Sequence, residues 1–230
     1  MEDLQTVVEE TQRLLKENND QKLSDYLAEL NISTAKELID EQPDQGPHFI
    51  KLLPIQRAVH VFSLLDFPVQ ERIIKKLPGH KISEIITEMP PDNRTTFFSA
   101  LHGDVLKELI ILLPQEERVE TLGLLGYNED SVGRLMTPDY IAVKTDWNVA
   151  KILKYIRKHG INSETIDVIY VIDDNGVLLD DMQIRKILLA DPETKILELT
   201  DERLIALKAD DSQEDAIEVF RMNNRVALPV

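Results

Sequence analysis

The sequence predicts a multidomain chain: an all-α, right-handed helical solenoid followed by a pair of α/β units, the second incomplete. Three observations carry this. Residues 43–126 repeat every twelve residues, with apolar side chains in the eighth and eleventh columns. Proline closes four of the rows, at Pro54, Pro78, Pro90 and Pro114. After Gly126 the pattern changes to short β-branched runs that alternate with helical stretches.

Residues 1–40 read as helices, because Leu4, Val7, Val8, Thr11, Leu14 and Leu15 fall on one stripe at helical spacing. Thr34 followed by Glu37 reads as a capping box that opens a further short helix. In the repeat, the eighth column is Ile50, Phe62, Ile74, Ile86, Phe98, Ile110 and Leu122. The eleventh is Leu53, Leu65, Leu77, Met89, Leu101, Leu113 and Leu125. Apolar residues three apart on one face argue for helix. Proline at the junctions forbids its continuation, because it has no N–H and clashes with the preceding turn. Each row is therefore one short helix and a turn. So short a helix cannot bury its stripe alone, and the rows must stack.

Beyond Gly126, Tyr140 to Val143 reads as a strand, and Asp146 as the cap of a helix from Trp147 to about His159. Val168 to Ile172 reads as a buried strand that turns at Asn175-Gly176 into a return strand starting over Val177 to Leu179. Ile184 to Ala190 is helical. The order then recurs, with a strand Leu204 to Leu207, a helix Ser212 to Asn223 and a strand Arg225 to Val230. The domain boundaries predicted are 1–128, 129–198 and 199–230.

The 42 acidic against 26 basic residues leave a net charge of −16. Such a surface repels nucleic acid phosphates and anionic lipid headgroups, and suits cations or a basic partner. The absence of cysteine excludes disulfides, thiolate zinc sites and a cysteine nucleophile. No apolar run approaches the ~18 residues that a membrane span needs, and the charged first twenty residues do not resemble a signal peptide, so the chain reads as soluble. No HExxH, GxSxG or GxGxxG occurs, and His48, His60, His80, His102 and His159 are dispersed. An enzyme is not expected.

Gly133-Arg134-Leu135-Met136-Thr137-Pro138, with the strand that follows, resembles the opening of a CBS domain. Val226-Ala227-Leu228-Pro229-Val230 resembles the second strand of a second copy. A twelve-residue solenoid placed before a CBS pair resembles the MgtE magnesium channel family. That resemblance implies a cytosolic regulatory region, a homodimer paired through the CBS domains, and attachment to a membrane pore domain. It implies that Mg²⁺ bound between solenoid and CBS domains closes the pore. It also implies that the native chain continues past Val230 into the rest of the second copy and the membrane domain.

The family's metal positions fall on His60, Asp92 and Thr96 in the solenoid, and on Ser212, Glu214 and Asn224 in the second copy. With neighbouring Asp211, this makes Asp92, Glu214 and Asp211 the candidate Mg²⁺ ligands. Each has a competing structural role. Asp92 lies in a helix first turn, where an acid is favoured, and Asp211 with Glu214 has the spacing of a capping box. The pairs Asp173-Asp174 and Asp180-Asp181 read as solvated hairpin residues. The family's nucleotide positions fall on Val168, Arg185 and Lys186; the arginine is kept, while the base-stacking aromatic and the ribose-binding acid are absent. ATP is therefore a weaker expectation than Mg²⁺. Two other readings stay open: a nucleotide-responsive CBS module, and a protein-binding helical scaffold without metal sensing.

Overall fold

Proline at a row boundary fixes its own φ and pushes the residue before it into extended backbone. At Met89-Pro90 this yields two extended residues, with ψ of 139° and 142°. The computed structural model describes residues 4–163, 165–201 and 203–230. In it this two-residue joint separates helix α7 (Gly79–Glu88) from α8 (Pro91–Ala100). The same joint recurs at Leu65-Asp66, Leu77-Pro78 and Leu101-His102. Helices α5 (Ile55–Leu64), α6 (Phe67–Lys76), α9 (Gly103–Ile110) and α10 (Gln115–Leu125) therefore start in register with the repeat.

Before them stand α1 (Leu4–Lys16), α2 (Asp20–Glu29), α3 (Ile32–Glu41) and α4 (Gly46–Leu52). The expected Thr34–Glu37 capping box does not open α3. Asn31 does, its side chain accepting from the Thr34 N–H at 2.8 Å. An asparagine caps as well as a threonine, and it stands three residues earlier.

Two units make up the chain, one up to Thr121 and the other Leu122–Val230. In the first, each helix packs on the next but one: α1 on α3, α3 on α5 and α5 on α7, with α2 on α4 and α4 on α6 alongside. The eighth and eleventh columns fill the core from Ile50 through Leu101. Phe62, Phe97 and Phe98 meet edge to face at 5.4 and 5.8 Å. The last rows depart from the expected pattern. The α9 helix ends at Ile110 and its cap Ile111 keeps helical backbone, so Leu109 is buried while Ile110 is only partly so. Leu122 is 50% exposed.

In the second unit, β1 (Ala142–Lys144) pairs parallel with β2 (Val168–Ile172), and β2 pairs antiparallel with β3 (Leu178–Gln183). The β1–β2 crossover is helix α12 (Val149–His159). Its N-cap is Asn148, which accepts from the Lys151 N–H at 3.0 Å, and not the expected Asp146. Gly176, at φ 81°, takes the left-handed position in the hairpin loop. Helices α13 (Ile184–Leu189) and α14 (Gln213–Asn223) follow, with the short α11 (Val132–Leu135) ahead of β1. Ile152, Ile169, Val171 and Ile187 centre the main core, and Val132, Leu207 and Leu228 a smaller one.

Two expectations fail here. Neither 204–207 nor 225–230 forms a regular strand; only the Leu207 N–H reaches across, to the Pro229 carbonyl at 2.9 Å. Pro229 has no N–H to extend the ladder. Asp180 and Asp181 are not solvated, at 2% and 6% exposure. The Asp201 N–H donates to Asp180 at 3.0 Å, and Arg225 closes on Asp181 at 2.7 Å. Residues outside the hairpin thus cover its second strand.

Gly133 is a point of close approach. A β-carbon there would lie 2.7 Å from the Tyr127 ring and 3.0 Å from the Ala209 carbonyl. The Gly133 N–H donates to that same carbonyl at 2.8 Å. Gly133→Ala is expected to destabilise this unit by about 1–3 kcal/mol through overpacking, measured by urea unfolding.

Candidate cation site and regulatory unit

Pro91 at the first helical position starts α8, and Asp92 follows in its first turn. The Asp92 side chain is half-buried, and its Oδ1 is buried with no hydrogen-bond partner. Thr96 lies one turn further along the same helix and is exposed, as is His60 on α5. The helix period brings Asp92 and Thr96 to one face.

Behind that face lies a device the sequence reading missed. Arg94 is 2% exposed, and its guanidinium donates to the carbonyls of Thr87 and Met89 at 3.1 and 3.3 Å. It also donates to Thr121 Oγ1 at 2.8 Å and pairs with Glu120. The arginine thus satisfies carbonyls that the end of α7 leaves open, as a cation near a helix C-terminus does. Twenty-four residues away on either side, the same position repeats the gesture. Gln70 donates to the Phe62 carbonyl at 2.8 Å, and Arg118 to those of Ile111 and Leu113 at 3.0 and 2.8 Å. The signal was present in the fourth column, where Gln70, Arg94 and Arg118 break an otherwise small or apolar series in alternate rows.

In the second unit, Ser212 caps α14. It accepts from the Asp215 N–H at 3.1 Å and donates to Asp215 Oδ2 at 2.8 Å. The expected Asp211–Glu214 box does not form; the cap stands a single residue later, at Ser212. Asp211 instead closes the preceding turn, its Oδ2 accepting from the Lys208 N–H at 2.7 Å while its carbonyl accepts from Val132 N–H at 2.9 Å. Glu214 stands exposed in the first turn of α14. Asn224 is the helix's left-handed cap, at φ 48°, a conformation asparagine tolerates better than most residues. Among the described residues, no three His, Asp or Glu side chains are grouped as metal ligands.

The unit also holds a cleft of about 850 Å³ lined by Val132, Met136, Tyr140, Tyr170, Phe220 and Leu228, among others. Tyr140 and Tyr170 meet edge to face across 5.7 Å. Its polar lining includes Thr137, Asp139, Thr165 and Gln213, and among the described residues no Lys, Arg or His lines it. Val168, Arg185 and Lys186 lie elsewhere: Val168 is buried in β2, Arg185 is exposed, and Lys186 pairs with Asp201 at 2.7 Å.

Comparison with known proteins places this arrangement. Residues 34–130 match the MgtE intracellular N domain, and residues 132–179 match the CBS domain. The crystal structure of the cytosolic domain of the Mg²⁺ channel MgtE in complex with ATP superposes with a TM-score of 0.92. It does so at 29% identity, over 97% of this chain and 92% of that one. The chain belongs to the MgtE family. The magnesium transporter MgtE of Thermus thermophilus is 30% identical over 223 residues, which is 95% of this chain and 50% of that protein. The MgtE of Bacillus subtilis is 21% identical over 194 residues, 84% of this chain and 43% of that protein. The chain therefore spans half or less of the length of these curated relatives. The soluble part of a magnesium transporter shares the fold, with a TM-score of 0.87 at 20% identity. No described helix is long and apolar enough to cross a membrane.

Proposed function

We propose that this chain is the Mg²⁺-sensing regulatory region of a magnesium transporter, carried on the cytosolic side of the membrane, and not an enzyme. Its whole-length likeness to the cytosolic domain of a Mg²⁺ channel carries this reading. The division into a solenoid over 1–128 and CBS copies over 129–198 and 199–230 belongs to it, as do pairing of two copies through the CBS domains and attachment to a pore domain. Mg²⁺ prefers carboxylate and water oxygens in octahedral geometry and gives up its waters reluctantly. Asp92, with an unsatisfied buried oxygen, and Glu214, free at a helix start, are the carboxylates suited to such an ion; Asp211 has one oxygen already engaged. An ion held by one or two carboxylates and several waters binds and leaves, as a sensor requires. The bound form then favours the closed pore, because a ligand shifts a conformational equilibrium by its differential affinity for the two states.

Titrating Mg²⁺ into the chain by calorimetry at constant ionic strength tests this. Saturable binding is expected, and Asp92→Asn or Glu214→Gln is expected to weaken it by about tenfold, the loss of one charge beside a hydrated divalent ion. Affinity unchanged in both variants would remove these residues as ligands. Heat that never saturates would remove the sensor reading. The ATP complex of the structural relative favours a second reading, nucleotide response, for which the apolar cleft offers the volume. ATP binding without any Mg²⁺ response in the same calorimeter would decide for it.

A further inference from the structure

The net charge of −16 conceals a segregation. The eleven residues of α12 contain Lys151, Lys154, Arg157, Lys158 and His159, and no acid. Val149, Ile152 and Ile156 face the core. At 100° per residue, Lys151, Lys154 and Lys158 fall within about 60° of one another on the opposite side. Lys154, Arg157 and Lys158 are exposed, and none has an ion-pair partner among the described residues. At the helix start, Asp146 lies 3.8 Å from Lys151 and Glu193 accepts from Asn148.

Other helices of this chain pair their cations one turn apart: Arg13 with Glu10 and Glu17, Lys36 with Asp40, Lys75 with Glu71. Like charges at that spacing repel instead, so the α12 face costs stability that an acid-rich chain could easily have avoided. An aromatic ladder edges the face. Trp147 meets Tyr155 at 5.0 Å, Tyr155 meets His159 at 4.4 Å, and the Lys151 ammonium sits 4.3 Å over the Trp147 ring. Just past the helix, Ile161 is 91% exposed.

We propose that this face of α12 docks on an anionic lipid surface. Clustered Lys and Arg are drawn to the negative cytosolic leaflet, and Trp and Tyr at the edge of a basic face suit the headgroup level. Trp147 and Tyr155 also pack against the core, so the apolar group that favours lipid over a polyanionic protein is the exposed Ile161, which the cations alone would leave unused. Which membrane is met rests on the transporter reading above; the docking itself does not.

The test is co-sedimentation of the whole chain, in EDTA, with vesicles of phosphatidylcholine alone or with about 30% phosphatidylserine. EDTA removes bridging of carboxylates to lipid by divalent ions. Binding is expected only to the anionic vesicles, and it should weaken as salt screens the charges. The triple variant Lys154→Gln, Arg157→Gln, Lys158→Gln is expected to bind at least about tenfold more weakly. The control Lys75→Gln, Lys76→Gln on α6 should bind as the parent does. Equal binding to both vesicles, or a triple variant that binds like the parent, overturns the proposal. So does a triple variant that only breaks self-association in sedimentation, which would make the partner a second copy. Calorimetry on the triple variant keeps the two readings apart. Mg²⁺ affinity is expected to be unchanged, so lost vesicle binding with intact Mg²⁺ binding concerns the docking face alone.

Discussion

Replacing Arg94 with methionine is expected to lower the unfolding free energy of the helical unit by about 3 kcal/mol. The aliphatic stem is replaced almost in kind, so little packing is lost. What goes is a set of donors: the carbonyls of Thr87 and Met89 are left unpaired, Thr121 Oγ1 loses the bond it accepts while still donating to the Glu117 carbonyl, and Glu120 loses this cation. Unsatisfied buried acceptors cost more than the bonds themselves were worth. Urea unfolding followed by far-ultraviolet circular dichroism measures the effect. Arg94→Lys, which keeps the charge without the planar fork, should recover less than half of it. A loss under about 1 kcal/mol for Arg94→Met would mean that the arginine is incidental to the solenoid.

A loss of similar size, about 3 kcal/mol near neutral pH, is expected for Arg225→Met in the second unit. There the cation that closes on Asp181 disappears while the carboxylate stays buried, one of its oxygens already without a partner. Burial pushes the Asp181 carboxyl above the usual carboxylate range. Arg225 opposes that shift, while Asp180 and Asp201 reinforce it. An acid whose folded pKa is raised holds its proton more tightly in the native state. Its contribution to stability is therefore largest at low pH and declines as pH rises from the unfolded value through the folded one. Removing Arg225 widens that window upward. The deficit of the variant should shrink steadily on acidification and vanish once Asp181 is protonated. A deficit independent of pH would contradict the assignment of Asp181 as the responsible group.

Much of the solenoid was legible because its physics is local. A proline in a row boundary sets two backbone conformations at once, and an apolar residue in the eighth column has one helix face to occupy. The β-branched run at 168–172 was legible for the same reason, while Gly133 to Pro138 was read by its resemblance to the opening of a CBS domain, which the match over residues 132–179 bears out. The failures were of another kind. Asp180 and Asp181 look like hairpin surface until the chain near residue 201 and Arg225 return to cover them, and no local pattern announces that return. Caps slipped by one to three residues because Asn31, Asn148 and Ser212 compete with equally capable neighbours. Asp211 was expected at a helix start and closes the turn before it. The fourth-column donors escaped because a period of twelve averages over a feature that alternates.

The two-residue joint has a bearing on how such a chain can change in length. A helix of ten and a joint of two leave no slack, so one residue added or removed within a row rotates every later helix by about 100° and turns buried faces outward. The partnering of every second helix raises the stakes, since a single added row exchanges the two stacks for everything downstream. Lengthening without such damage requires a matched pair of rows, twenty-four residues in one event, with its own Gln or Arg to close the helix before. Variation in size among such solenoids should thus come in whole pairs, as rungs are added to a ladder, while single-residue insertions gather outside the repeat or in a longer joint such as the one between α9 and α10.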